Sequence, residues 1–187
     1  RAAQLMRIIA MTSTPGTPPS STEIADRLAI NDILYSHCRG LDRLDSAILQ
    51  ACYWQDAEVD YGSYRGPAQA FAGLVIAALG EAYALTRHNI GNTLIAIEGS
   101  TAHCESYVNA DHLLPGATQE MCFSGRYLDR LEKLDGQWRL SHRQVVIDWA
   151  RIRDLENLRD TEAFAELAKG GQGAGDPLFP FLAGGVA

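Results

Sequence analysis

The sequence predicts an α+β fold in which a curved antiparallel sheet wraps over a layer of N-terminal helices. Two observations predict it. Helical apolar spacing dominates as far as Gly80, and strand-like segments then run on to Trp149, punctuated by Gly99-Ser100, Pro115-Gly116 and Asp135-Gly136. The order is helices first, then a long meander.

Residues 1–21, "RAAQLMRIIAMTSTPGTPPSS", read as a flexible lead-in rich in Pro, Ser and Thr. Arg7 interrupts its apolar stretch, so no signal-peptide core forms. Met11 opens a natural-looking start, and residues 1–10 are expected to be added sequence or an upstream start. The main domain is expected over 22–150. Ser20 and Glu23 fit a capping box, and the helix they open sets Ile24, Leu28, Leu34, Cys38 and Leu41 near one stripe. "SAILQACYW" is a short second helix and "AEVDYGSYRG" a strand with a tight turn. Pro67 starts a third helix that runs to Gly80. Three β segments follow, the last folded into a hairpin at Asp135-Gly136. Residues 151–187 are expected to form a C-terminal helix, "DLENLRDTEAFAELAKGG", and a tail that drapes over a neighbour or is mobile.

Composition narrows the function. The formal net charge is −7 with a pI near 5.1. No cluster of Lys and Arg offers a nucleic-acid footprint or a polybasic lipid patch. No apolar run reaches the ~18 residues of a membrane span. The four cysteines have neither CxxC nor metal-like spacing, so they read as free thiols, which suits a cytoplasmic location. His103, Glu105, Asp111 and His112 have no spacing that demands a metal, and no metal or other cofactor is expected.

The candidate chemistry begins at His88 in "TRHNIGNT", which is a loop residue, a satisfied core histidine or a base in a pocket. Asp42 falls at the C-terminal end of the first helix, on the edge of its apolar face. A carboxylate there is unfavourable for burial and for the helix dipole, so it needs a hydrogen-bonding partner. Either it pairs with Arg39 or Arg43 in solvent, or it meets His88, fixes the imidazole tautomer and makes His88 a general base. His37 lines the pocket or faces solvent, and Tyr35 reads as core packing. In "TAHCESYVNADH" the small residues Ala102, Cys104, Ser106, Val108 and Ala110 are expected inside and the polar set outside. Alternation in "WRLSHRQVVIDW" turns Arg143 inward with core-like Val145 and Ile147. Its charge then needs a buried ion pair or a cavity admitting an anionic or electron-rich ligand, and the cavity is preferred because Asp42 is claimed by His88. Trp149 is taken as packing.

The helix through "INDILYSHCRGLDRLD", with "GPAQAF", "RHNIGN" and "SGRYLDRLEKLDGQWRLSHR", resembles the SnoaL-like branch of the nuclear transport factor 2-like superfamily. Within it the chain is similar to the scytalone dehydratase and γ-hexachlorocyclohexane dehydrochlorinase families. The resemblance implies a cone-shaped, cystatin-like α+β barrel and a cofactor-independent lyase with an Asp–His dyad. It gives Asp42 and His88 the dyad positions, Arg143 that of an arginine assisting the leaving group, and Tyr61 that of a tyrosine holding a catalytic water. His37 stands where the dehydrochlorinases have a lysine, and Leu41 where the dehydratases have a tyrosine.

The expected function is therefore elimination or isomerisation on a mostly apolar, ring-containing molecule. Asp42, His88 and Arg143 form the candidate catalytic set; Tyr61, His37, Phe123 and Tyr127 line the pocket. The alternative is a non-catalytic module holding a hydrophobic ligand or protein partner in the same cone, which a pocket plugged by Phe123 or Tyr127 would favour. Proton shuttling by an interior carboxylate, as in ketosteroid isomerases, is a further alternative. A homo-oligomer, dimer or trimer, is expected on the sheet's convex side.

Overall fold

The computed structural model describes residues 16–184. The proposed start at Met11 and the expected addition over residues 1–10 lie outside the described residues. Helix α1 covers Ser21–Asp42, opened by the Ser20 hydroxyl, which accepts the Glu23 N–H at 3.2 Å. Helix α2 (Ser46–Ala51) starts at Asp45, whose carboxylate accepts the Ile48 N–H at 3.0 Å. Strands β1 (Tyr53–Asp60) and β2 (Arg65–Pro67) precede helix α3 (Ala68–Ala82), for which Pro67 is the N-cap. The meander follows as β3 (Leu85–Glu98), β4 (Thr101–Leu113), β5 (Gln119–Leu134) and β6 (Gln137–Asp154).

These six strands form one curved open sheet in the order β2-β1-β6-β5-β4-β3. All neighbours are antiparallel except β1 and β6, which run parallel with Val59 opposite Arg143. The helices cover the inner face. Ile30, Leu34 and Leu41 of α1 pack there with Leu49, Tyr53, Phe71, Leu131 and Leu140. On β4 the small residues Ala102, Cys104, Ser106, Val108 and Ala110 are buried, while His103, Tyr107 and Asn109 are exposed, as the alternation predicts.

Several expectations need correction. Ile24 and Leu28 remain exposed, so the buried stripe of α1 begins only at Ile30. Ile147 and Trp149 are 61% and 59% exposed because this part of β6 has no helix over it. Strand β6 also runs to Asp154, past the expected boundary at 150. The helix expected after it is absent: residues 155–171 hold one 3₁₀ turn, Glu162–Phe164. Leu158, Phe164 and Leu167 find no surface to bury against, and a short helix without tertiary packing is marginal. Asn157 and Thr161 also divert local backbone groups, accepting the Arg159 N–H and donating to the Leu158 carbonyl. The terminal helix, α4, is Leu178–Leu182.

Candidate active site

The end of α1 delivers Asp42 to the start of β3. Its Oδ1 accepts from His88 Nδ1 at 2.7 Å and from the Thr86 hydroxyl at 3.0 Å, while Oδ2 accepts the His88 backbone N–H at 2.9 Å. Thr86 and His88 lie two apart on a strand, so both reach the same side. Because a carboxylate only accepts, the His88 proton sits on Nδ1 and the Nε2 lone pair is left open. Among the described residues no group hydrogen-bonds to Nε2. Neither Arg39 nor Arg43 pairs with the Asp42 carboxylate; Arg43 instead donates to the Asp42 carbonyl.

A pocket of about 340 Å³ opens beside the dyad, bounded by α1 and the first residues of β3. Tyr35 belongs to this pocket at 53% exposure, not to the core. Across the sheet, His112 sets its ring edge-on to His88, with centroids 5.4 Å apart. Its Nδ1 donates to the Met121 carbonyl at 3.3 Å. Burial, helped by His88, holds the His112 pKa below its ordinary value, which favours a neutral imidazole beside His88.

A second polar group fills the inner face. Arg143 is fully buried and makes a bidentate pair with Asp129, at 2.7 and 2.8 Å. Its third contact is to His37 Nδ1 at 2.8 Å. Guanidinium groups only donate, so the His37 proton is on Nε2, which donates to Tyr53 Oη at 2.8 Å. His37 is thus inside, not in solvent, and burial followed by the Arg143 charge keeps its pKa well below the usual imidazole value. The Arg143 guanidinium also lies over the Tyr127 ring, 4.0 Å from its centroid. The preferred cavity for an anionic ligand at Arg143 is therefore replaced by a buried ion pair, and a cross-strand aspartate does the neutralising.

Tyr61 stacks on Phe71 with centroids 4.1 Å apart, and its buried hydroxyl lies beside Arg143 and Tyr53 without a well-formed hydrogen bond among the described residues. Phe123 pairs across the sheet with buried Ala110 and so shares the inner face, but is only half-buried and does not border the dyad pocket. The structure thus brings together Asp42 with His88, and separately His37 with Arg143, Tyr53 and Tyr127, with Tyr61 beside this second group; Phe123 borders neither. Cys38, next to His37 and one turn before Asp42, has its thiol pushed up to about 12 by burial. Thr86, Asp129 and Tyr53 escaped the sequence reading, and His112 entered it only as a possible metal ligand. Period-two spacing from His88 points to Thr86, and alternation with Tyr127 and Leu131 points to Asp129.

The only described group of three close potential metal ligands is Asp111, Glu120 and Cys122. Its carboxylates are already engaged by Arg87 and Arg153.

The sequence model of the SnoaL-like domain matches residues 22–144. No curated protein matches significantly. Among solved structures, a Novosphingobium aromaticivorans protein described provisionally as a scytalone dehydratase superposes with a TM-score of 0.64 at 20% identity, over 82% of this chain and 96% of its own. A hexachlorocyclohexane dehydrochlorinase gives 0.62 at 24% identity, over 72% and 92%. A Nostoc punctiforme protein of unknown function with a cystatin-like fold gives 0.59 at 20%, over 71% and 96%. At these identities the likeness is one of fold.

Proposed function

The chain belongs to the SnoaL-like domain family of the nuclear transport factor 2-like superfamily, and on that premise we propose that it is a cofactor-independent lyase or isomerase. The observation that carries the reading is the Asp42–His88 pair: three donors fix the carboxylate, and an open imidazole nitrogen remains beside a pocket. His88 Nε2 takes a proton from a carbon or hydroxyl of the substrate. After C–H abstraction, that bond's electron pair forms the new double bond and the leaving group departs with its own pair. Asp42 stabilises the imidazolium. The substrate is a mostly apolar ring-containing molecule, and residues 22–150 form the unit that binds it. Arg143 acts as a fixed inner wall rather than as a direct leaving-group partner.

The test is a panel of cyclic β-hydroxyketones and chlorinated cyclohexanes, followed by the absorbance of the new double bond. Wild type should turn over at least one of them, and His88→Ala should lose that activity with an unchanged circular dichroism spectrum. Equal activity in His88→Ala would sink the base assignment.

One observation favours the binding-module reading: Tyr127 under Arg143 fills the inner face, and a larger groove of about 950 Å³ lies elsewhere, on the outer face. A hydrophobic ligand retained by both wild type and His88→Ala, with no turnover in either, would establish it. We further propose a cytoplasmic homo-oligomer, dimer or trimer, built on the outer face, where Leu94, Tyr107 and Trp149 stand exposed. A monomer by light scattering at micromolar concentration would contradict the assembly.

A further inference from the structure

The pocket beside the dyad carries two arginines whose circumstances differ. Arg43 is spoken for: its Nε lies 3.5 Å from the buried Asp176 carboxylate, and its Nη1 donates to the carbonyls of Asp42 and Gly171, both at 3.2 Å. The Arg43 carbonyl in turn accepts the Gly173 N–H at 2.9 Å. These bonds tie the C-terminal segment to the end of α1 and neutralise that charge. Arg39 is different. It lines the same pocket, it is exposed, and among the described residues it has no acid or hydrogen-bond acceptor.

Its place on the helix gives that charge a direction. Arg39 precedes Asp42 by three residues, a spacing that puts two side chains on one face, with Cβ atoms about 5–6 Å apart. Tyr35, four residues earlier, continues the same row, and Asn89 and Ile90 of β3 form the facing wall. The pocket therefore has the dyad on one side, the Tyr35 ring and Ile90 as apolar surface, and a guanidinium at the rim. The Asp42 carboxylate does not satisfy Arg39, because its oxygens are taken by His88 and Thr86. On a chain of net charge −7, an unpaired cation beside an open base is a local exception.

We propose that Arg39 is the specificity-determining residue of this pocket, and that the ligand taken there is a single ring bearing a carboxylate. The ring lies against Tyr35 and Ile90, and the carboxylate accepts from the Arg39 guanidinium, the side chain best shaped for two parallel bonds to that group. A volume of about 340 Å³ suits one ring with its substituents, at the lower end of small-molecule sites. The inference rests on the proposed function only in taking this pocket as the substrate site; it assumes nothing about turnover.

The experiment compares benzoate with benzamide, its neutral near-isostere, by calorimetric titration of the full chain at low salt and pH 7.5. Benzoate should bind about five-fold more tightly, the scale of a partly exposed charge-assisted contact, and the difference should shrink in 0.5 M NaCl, roughly as screening requires. Arg39→Gln should abolish the preference by weakening benzoate alone. Arg130→Gln, an exposed arginine of β5 outside this pocket, should keep it. Equal affinities in wild type, a preference that survives in Arg39→Gln, or no binding of either probe at millimolar concentration would each overturn the proposal. If the preference holds while no substrate is ever turned over, the elimination reading fails and the recognition site stands. If turnover is found without the preference, the reverse applies.

Discussion

Arg143 and Asp129 face each other across β5 and β6, joined by two hydrogen bonds of 2.7 and 2.8 Å, with neither side chain exposed to solvent. The pair changes what a substitution at Arg143 should do. Arg143→Met leaves a bare carboxylate in the core and takes the donor from His37 Nδ1, so it should cost about 3–5 kcal/mol, the usual penalty for orphaning a buried charge. Replacing both partners, Arg143→Met with Asp129→Leu, should recover most of that stability. Urea unfolding of the two variants checks this, and a single variant as stable as wild type would show that the pair does not hold the fold.

Asp42→Asn keeps the side-chain shape but removes the charge that stabilises imidazolium. Turnover of a substrate found by the panel should fall by roughly 10²–10⁴-fold, the span ordinarily ascribed to a positioned base. The melting temperature should fall too, since the amide nitrogen would face one of the donors now bound to Asp42. A variant of normal activity would remove Asp42 from the dyad.

Stability should decline as pH drops below the ordinary imidazole range. Burial lowers the His37 and His112 pKa values, so below pH ~6.5 the unfolded chain takes up protons that the folded chain refuses. Each histidine then removes about 1.4 kcal/mol per pH unit until its folded pKa is reached. Asp26, whose pKa is lowered chiefly by its bond to Lys133, and Asp176, lowered by backbone N–H groups and Arg43 against its burial, keep their contributions until pH approaches the carboxylate range. Denaturant midpoints at pH 7.5, 6.5 and 5.5 read the effect. A flat profile over that span would mean that these imidazoles are free to protonate in the folded state.

Two glycines should respond oppositely to alanine. A Cβ on Gly125 would sit 2.2 Å from the Val146 carbonyl oxygen and 2.7 Å from the Phe123 ring. Because main chain must move, the loss should reach or exceed about 1–3 kcal/mol, the common range for overpacking. Gly73, inside α3 with nothing within 4 Å, should gain roughly 0.5–1 kcal/mol. Thermal melts of the two variants give the comparison.

The strand half of the fold was legible because alternation on β4 separates small from polar residues cleanly and Asp135-Gly136 marks its hairpin. That Asp42 needs a partner was legible from its place on the apolar edge of a helix. Position left Arg39, Arg43 and His88 all open, and only the family resemblance singled out His88, which the structure places 2.7 Å away. Asp129 was hidden by a bulge. Counting outward from the hairpin, where Leu134 meets Gln137, places it opposite His142; the irregularity between Arg130 and Leu131 moves it to Arg143. The end of the chain misled for another reason: its apolar residues imitate a helix, but Leu158, Phe164 and Leu167 stay exposed among the described residues, and spacing alone cannot supply a surface to bury them.

The parallel pairing of β1 with β6 also governs when the molecule can close during synthesis. Val59 leaves the ribosome 84 residues ahead of Arg143, the residue it pairs with. At ordinary elongation rates of 5–20 residues per second, that is a wait of roughly 4–17 s. In that interval α3 can pack on β1 and α1 on β3 as it emerges, but the edge of β1 that β6 will occupy stays open to other chains. The meander, by contrast, grows by adding each strand to the one before it. Translation speed over β4 to β6 therefore sets how long the nascent chain is exposed to misassembly, and slowing the ribosome there should lower the soluble yield without altering the native protein.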